Sequence, residues 1–299
     1  MTTTRIPSKS HLKAVLLALF VTFLWSTSWV LIKLGLQASL PPLTFAGLRY
    51  TLAFLCLLPF LLMKSSHRHL IRIFSKSTWF QLVLLGLVFY TITQGAQFIG
   101  LAFLPAATVT LLLNFSPIFV AIPSGIVNNE ATTFTQWMGI LLSVSGAIIY
   151  FLPLNIPGNQ VIGLMAVIVG VLANASSSLL GRKINTQSGL PAIVITTISM
   201  GLGGVLLLMT GAITQGFGQL DLLQWMIIVW LAIINTAFAF TLWNMSLQTL
   251  TAVESSIINS TMLPQIAILA WIFLGETLNL RQILGLVLVT IGIIVVQVW

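Results

Sequence analysis

Amides, hydroxyls, tryptophans and single charges recur inside otherwise lipid-like runs of this chain, at spacings that gather them on helix faces. In "FLWSTSWVLIK" (residues 23–33), Trp25, Ser28, Trp29 and Ile32 follow i, i+3, i+4, i+7 and share one face. Asn174, Ser177, Ser178 and Gly181 repeat that pattern further along. Tyr90, Gln94 and Gln97 form a third stripe, and "NTAFAFTLWN" supplies Asn235, Thr236, Trp243 and Asn244. Asn114 stands three residues before Pro117, while Ser255, Ser256, Asn259, Ser260 and Gln265 surround Pro264. In hydrocarbon every amide must find a partner. Taken singly, each residue is served equally by an interhelical hydrogen bond or by contact with a solute. Together they point to a polar cavity inside a bundle. For the first stripe the alternatives are close packing through serine and an interfacial tryptophan belt. Trp25 lies about a dozen residues into its run, too deep for a belt.

Two charges accompany these stripes. Arg49, in "FAGLRYTLAF", sits where a charge is expensive, so it is a functional group or an anchor bonded to helix-end carbonyls. Glu254 opens a helix in "TAVESSIIN", where the dipole favours a carboxylate. Capping and proton coupling are its two readings. An intramembrane enzyme would need a nucleophile–base pair or a metal cluster, and the runs offer neither; no histidine or cysteine partner is on offer for Glu254. His11, His67 and His69 all fall near one membrane surface, and the H-x-H at 67–69 reads as a solvated basic loop. No G-x-x-x-x-G-K-[ST] loop exists to drive an ATP-powered pump. Catalytic residues, metals and cofactors are therefore not expected. The sequons at Asn114, Asn174 and Asn259 lie inside apolar runs, closed to glycosylation.

The elements that must position these residues follow from composition. The chain has 299 residues, 58% hydrophobic and 5% charged, with a mean hydropathy of +1.09. A soluble domain carries roughly a quarter charged residues, so this is a polytopic membrane protein. Apolar runs near the 20-residue spanning length give ten spans: 12–35, 42–63, 78–100, 105–126, 133–153, 160–181, 190–212, 222–246, 251–274 and 280–299. The first run is too long for a secretory signal and lacks a cleavage site after it, so it reads as an uncleaved span. Cys56, the lone cysteine, reads as a small buried hydrophobe.

The net charge of +8 does not suggest nucleic acid, because its placement follows the positive-inside rule. With residues 1–11 as a cytoplasmic tail, nine of the twelve lysines and arginines fall inside, at 5, 9, 13, 64, 68, 72, 76, 182 and 183. Both termini are then cytoplasmic.

A repeat organises the chain. "NNEATTFTQWMGILLSVSGAIIYF" (128–151) resembles "LGETLNLRQILGLVLVTIGIIVVQ" (274–297), pairing Glu130 with Glu276, Gln136 with Gln282, Gly139 with Gly285 and Gly146 with Gly292. Pro117 aligns with Pro264 after a one-residue shift. The halves 12–153 and 160–299 thus hold five spans each, and an odd number inserts the second copy upside down. Inverted repeats of this kind mark secondary transporters, with the site between the halves near the midplane. The fifth and tenth spans, with glycines seven apart and few polar residues, are assigned to packing or a subunit interface. Glu130 and Glu276 are read as structural helix-start carboxylates.

This duplicated set resembles the drug/metabolite transporter superfamily, specifically its EamA-like ten-helix exporters. Each half ends in "P…(G/N)E…Q…G…G", and "LWSTSW" and "LRYTLAF" are also similar to family patterns. The resemblance covers residues 12–299; the first copy departs in having Asn129-Glu130 where the second has Gly275-Glu276. It implies an all-α integral membrane fold, ten transmembrane helices as two inverted five-helix repeats around a central cavity built from spans 1–4 and 6–9. It also implies movement of small metabolites, often amino acids, across the cytoplasmic membrane by alternating access. The expected substrate-binding residues are Trp25, Ser28, Trp29, Arg49, Tyr90, Gln94, Gln97, Asn114, Asn174, Ser177, Trp243, Asn244, Ser256 and Asn259. Trp25, Trp29 and Tyr90 would supply apolar and cation–π surface. Partners are then a small-molecule substrate and the bilayer, with the chain a monomer or a weak homodimer through spans 5 and 10. Sugar or nucleotide derivatives are the alternative cargo; an intramembrane enzyme or a non-transporting scaffold is the alternative class.

Overall fold

A computed structural model describes residues 9–37, 40–104, 106–127, 133–152, 160–274 and 279–298. Among them the regular elements are helices, with no strand. Helix α1 covers Lys9–Gln37, α2 Pro42–Met63, the short basic α3 Ser65–Arg72 and α4 Lys76–Phe103. Next come α5 (Ala106–Leu113), α6 (Ser116–Val127), α7 (Phe134–Phe151), α8 (Val161–Gln187) and α9 (Ala192–Gln215). The last are α10 (Leu222–Leu247), α11 (Ala252–Ser260), α12 (Met262–Leu274) and α13 (Leu280–Val298). Among the described residues seven helical stretches are long and apolar enough to cross a membrane: α1, α2, α4, α8, α9, α10 and α11 continued into α12. Helices α7 and α13 are apolar and shorter.

Local chemistry sets the helix limits. Pro42 occupies the first turn of α2, where its missing N–H would have been unbonded anyway. Helices α7, α10 and α11 each open with a capping box, formed by Thr133 with Gln136, Asp221 with Gln224, and Thr251 with Glu254. Asn279 and Gln282 exchange the same two bonds at the start of α13, 2.8 and 3.0 Å long. The repeated glutamines at 136 and 282 are therefore cap residues. Glu130 and Glu276 lie outside the described residues. Gly216, with φ of 72°, ends α9 in a conformation that favours glycine.

Two helices are interrupted beside prolines. Pro117 cannot donate to the Leu113 carbonyl, and Pro264 cannot donate to that of Ser260. Helix α5 accordingly ends at Leu113 and α11 at Ser260, each followed within three residues by a new helix. Two others widen into π-helical turns, α4 over Gly86–Thr93 and α10 over Ile233–Phe238. Such bulges carry i→i+5 bonds and often occur at functional sites.

Glycines draw two helix pairs together. An added Cβ on Gly47 of α2 would sit 2.3 Å from the Leu208 Cα of α9, and one on Gly211 would sit 2.4 Å from the Thr44 nitrogen. Between α7 and α13, a Cβ on Gly146 would meet the Gly285 oxygen at 2.7 Å, and one on Gly292 the Gly139 oxygen at 2.6 Å. Small residues of this kind drive helix association where lipid leaves no hydrophobic difference. The glycine faces of α7 and α13 are thus used within the chain. Phe20, Phe60, Ile162, Ile213, Trp230 and Phe273 stand on the outside, an apolar exterior that suits lipid.

Candidate functional site

A cavity of about 80 Å³ opens among α1, α2, α4, α5, α8, α10, α11 and the start of α12. Liquid water takes roughly 30 Å³ per molecule, so the space suits a few waters or the core of a small solute. Ten of the residues read from sequence line it: Trp25, Ser28, Trp29 and Arg49; Gln94, Gln97, Asn114 and Asn174; Trp243 and Asn259. Helices α7 and α13 contribute nothing to this lining, and neither does α9, although the resemblance implied a part for the seventh span.

The apolar wall is an aromatic cluster. The Trp25 ring lies 5.0 Å from that of Trp243 and 4.7 Å from that of Phe240, centroid to centroid. Phe240 also meets Tyr50 at 5.8 Å and Phe89 at 5.3 Å. Such tilted and edge-on pairs contribute about 0.5–1.5 kcal/mol each beyond burial.

Arg49 borders this cluster, 2% exposed. Its Nε donates to Thr236 Oγ1 at 2.6 Å, and one terminal nitrogen donates to the Asn235 carbonyl at 3.2 Å. Both acceptors belong to the π-helical turn of α10. The guanidinium carbon stands 5.3 Å from the centre of the Tyr50 ring. Asn235 in turn donates to the Leu24 carbonyl and, at 3.1 Å, to Thr27 Oγ1, tying α10 to α1. Among the described residues no carboxylate pairs with Arg49. It is both an anchor for helix α10 and a cavity wall.

The amides divide in a similar way. Asn114 donates from Nδ2 to the Thr110 carbonyl at 2.8 Å, and Asn174 to Ser116 Oγ at 3.2 Å. The side-chain oxygens of Asn114 and Asn259 and the Trp25 indole nitrogen are buried without a hydrogen-bond partner among the described residues. Gln265 lies off the cavity and bridges α12 to α1 through Thr22 and Ser26.

Four expected site residues are not brought to the cavity, and each has another engagement. Asn244 donates to Thr196 Oγ1 at 2.9 Å and accepts from Asn185 at 2.8 Å, binding α10 to α8 and α9. Ser177 and Ser256 donate to the carbonyls of Asn174 and Val253 in their own helices. Tyr90 is wholly buried against Tyr50 and Phe240. It sits inside the π-helical turn of α4, so the stripe expected from a 3.6-residue period is rotated. Phe89 and Thr93 line the cavity there with Gln94 and Gln97.

Sequence reasoning also missed Tyr50, Thr110, Leu113, Phe240 and Met262 as lining residues, while Ser260, read among the polar residues around Pro264, was not counted as a site. Phe240 stands one turn before Trp243, and Tyr50 adjoins Arg49; those positions were the available signals. Ser178 was placed on the right face but not counted as a site.

Glu254 is corrected in one respect. Its carboxylate accepts from the Thr251 nitrogen at 2.7 Å as a helix cap, and the His11 Nε2 stands 3.6 Å from its Oε1. A histidine partner therefore exists, far away in sequence. Neither residue lines the cavity. Among the described residues no three His, Cys, Asp or Glu side chains come together as a metal site.

Comparison with known proteins gives consistent results. A model of the EamA-like transporter family matches residues 12–152 and 161–298. The chain is 28% identical to the uncharacterized transporter YvbV of Bacillus subtilis, over 95% of this chain and 92% of that one. It is 25% identical to a probable amino-acid metabolite efflux pump of Salmonella typhimurium, over 93% and 92% of the two chains. A Chlamydia trachomatis S-adenosylmethionine/S-adenosylhomocysteine transporter is 25% identical over 88% of this chain and 83% of its own. One crystal structure of another protein superposes with a TM-score of 0.76 at 17% identity, covering 95% of this chain and 97% of the other; that likeness concerns the fold.

Proposed function

The chain belongs to the EamA-like transporter family, and from that premise we propose that it is a secondary transporter moving amino acids or close derivatives by alternating access. The observation that carries this reading is the cavity itself: a bilayer-type helical bundle enclosing aromatic rings and amides, with one charged side chain in its lining. Such a lining suits a neutral or zwitterionic solute. The names of the relatives support the class, since one is an amino-acid metabolite efflux pump and another carries an amino-acid derivative.

The proposed architecture is ten spans in two inverted halves, 12–153 and 160–299. The contacts support it, because they are crosswise. Gly146 meets Gly285 and Gly139 meets Gly292, each glycine facing the counterpart of the other, as a twofold relation requires. The π-helical turns and the proline breaks recur at one interval, Gly86 to Ile233 and Pro117 to Pro264. The halves would rock around the cavity between them. The charge distribution supports a cytoplasmic membrane location with both termini inside.

Purified protein in liposomes tests the reading. Saturable flux of a labelled amino acid is the expected result. Consumption of the solute would indicate an enzyme, and neither flux nor consumption from folded protein would indicate a scaffold. Flux of sugar or nucleotide derivatives alone would move the assignment to that cargo.

A further inference from the structure

The segment between α2 and α4, expected from sequence as a solvated basic loop, is a helix with two faces. Helix α3 docks on the bundle through His67 and Ile71, which stand one turn apart. His67 is buried, and Ile71 packs against a core cluster that holds Leu61, Leu82 and Leu190. Arg68 and Arg72 repeat that spacing one residue on, and both are exposed together with His69. Lys64 and Lys76, also exposed, stand before and after the helix.

Nothing on the protein neutralises this face. Among the described residues no carboxylate pairs with these cations, and the first acidic residue of the sequence is Glu130. Asp221 and Glu254, the acids among the described residues, cap α10 and α11. Like charges one helical turn apart repel each other, so the face favours an anion from outside the chain. Its position says which anion is at hand. Lys64 alone separates α3 from α2, and residues 73–75 separate it from α4. The helix is therefore tied to the ends of two apolar, bilayer-length helices. Met63, Ile73 and Phe80 are exposed around it, apolar side chains that suit lipid rather than water. Trp79 packs edge-on against Phe74 at 5.7 Å and is itself part-exposed, as tryptophans at a membrane–water interface are.

We infer that α3 and its flanking lysines bind the head groups of anionic phospholipids in the adjoining leaflet, with Arg68 and Arg72 on the phosphate. A guanidinium offers phosphate a planar, two-pronged fork, whereas Lys64 and Lys76 act as point charges beside it. A basic segment next to a membrane span draws anionic lipid in this way, over about one Debye length. Lipid is the occupant, rather than a soluble polyanion, because the apolar neighbours hold the cations at the bilayer surface. Helix α3 joins α2 to α4, and both line the cavity, so lipid held there steadies one end of two cavity walls. The inference depends on the bilayer setting of the chain and not on its cargo.

Native mass spectrometry of the full chain in a neutral detergent tests it, with phosphatidylglycerol and phosphatidylcholine titrated as probes. Phosphatidylglycerol should bind the double variant Arg68→Gln/Arg72→Gln roughly tenfold more weakly than the unaltered chain. Phosphatidylcholine should bind the two alike. Lys33→Gln/Arg281→Gln removes the same charge from other helices and should retain the original phosphatidylglycerol affinity. Equal phosphatidylglycerol binding by the arginine variant and the unaltered chain overturns the inference. An equal loss in the Lys33/Arg281 variant also overturns it, since the effect is then one of net charge. The thermal midpoint in lipid-free detergent should be the same for all three chains, because Arg68 and Arg72 are exposed. Where the arginine variant lowers that midpoint, Lys64→Gln/Lys76→Gln carries the same expectation and the same contradiction. Inorganic triphosphate or a short DNA oligonucleotide, at equal concentration, should leave the phosphatidylglycerol in place. Displacement by either assigns the face to a soluble polyanion and overturns the lipid reading.

Discussion

Gln94 and Asn244 illustrate how two buried amides, both legible as polar residues in hydrocarbon, come to do different things. Gln94 lines the cavity, while Asn244 spends its amide on Thr196, Asn185 and the Phe240 carbonyl. Replacing Gln94 by alanine should abolish flux and leave the thermal midpoint nearly unchanged. Asn244→Ala removes the bonds that tie α10 to Asn185 and Thr196, which keep only bonds within their own helices, a loss of about 1–3 kcal/mol, and should lower the midpoint. Both are read by flux and thermal unfolding of the same preparations. Trp29→Ala belongs with Gln94, since it empties cavity wall while the protein still reaches the membrane. Adjacent residues on a helix diverge by 100°, so sequence spacing separates Trp243 from Asn244 only when the direction of the cavity is known. Glu254 failed to reveal its histidine for a related reason: His11 comes from the other end of the chain.

At the scale of elements, the breakers were legible and the wide turns were not. Prolines 117 and 264 mark the helix interruptions that lie just before them in the structure, because a missing donor is visible in any sequence. The π-helical turns of α4 and α10 have no such signature, and they displaced Tyr90 from its expected stripe. Repeated glycines were readable as packing faces, and their partners are now defined. Gly146→Leu forces a side chain into the α13 backbone, where even a Cβ would lie 2.7 Å from an oxygen. The expected outcome is loss of folded protein, or about 1–3 kcal/mol or more of destabilisation, in thermal unfolding. Gly189, which has nothing within 4 Å of an added Cβ, marks the opposite case for space, although its φ of 66° still favours glycine.

For the whole molecule, composition alone implied a membrane protein, and the match to the EamA-like transporter family and the seven long apolar helical stretches among the described residues agree with that. What composition could not give is which polar residues converge, since that depends on several helices meeting at one point. The cavity draws on both halves, so neither half is expected to transport by itself. The most direct test of a solute-exchanging cavity is counterflow: proteoliposomes loaded with one unlabelled amino acid, labelled solute outside, and no imposed ion gradient. Transient accumulation of label, abolished by Trp29→Ala, is the predicted result. Absence of accumulation for every amino acid, from folded and inserted protein, would contradict the account.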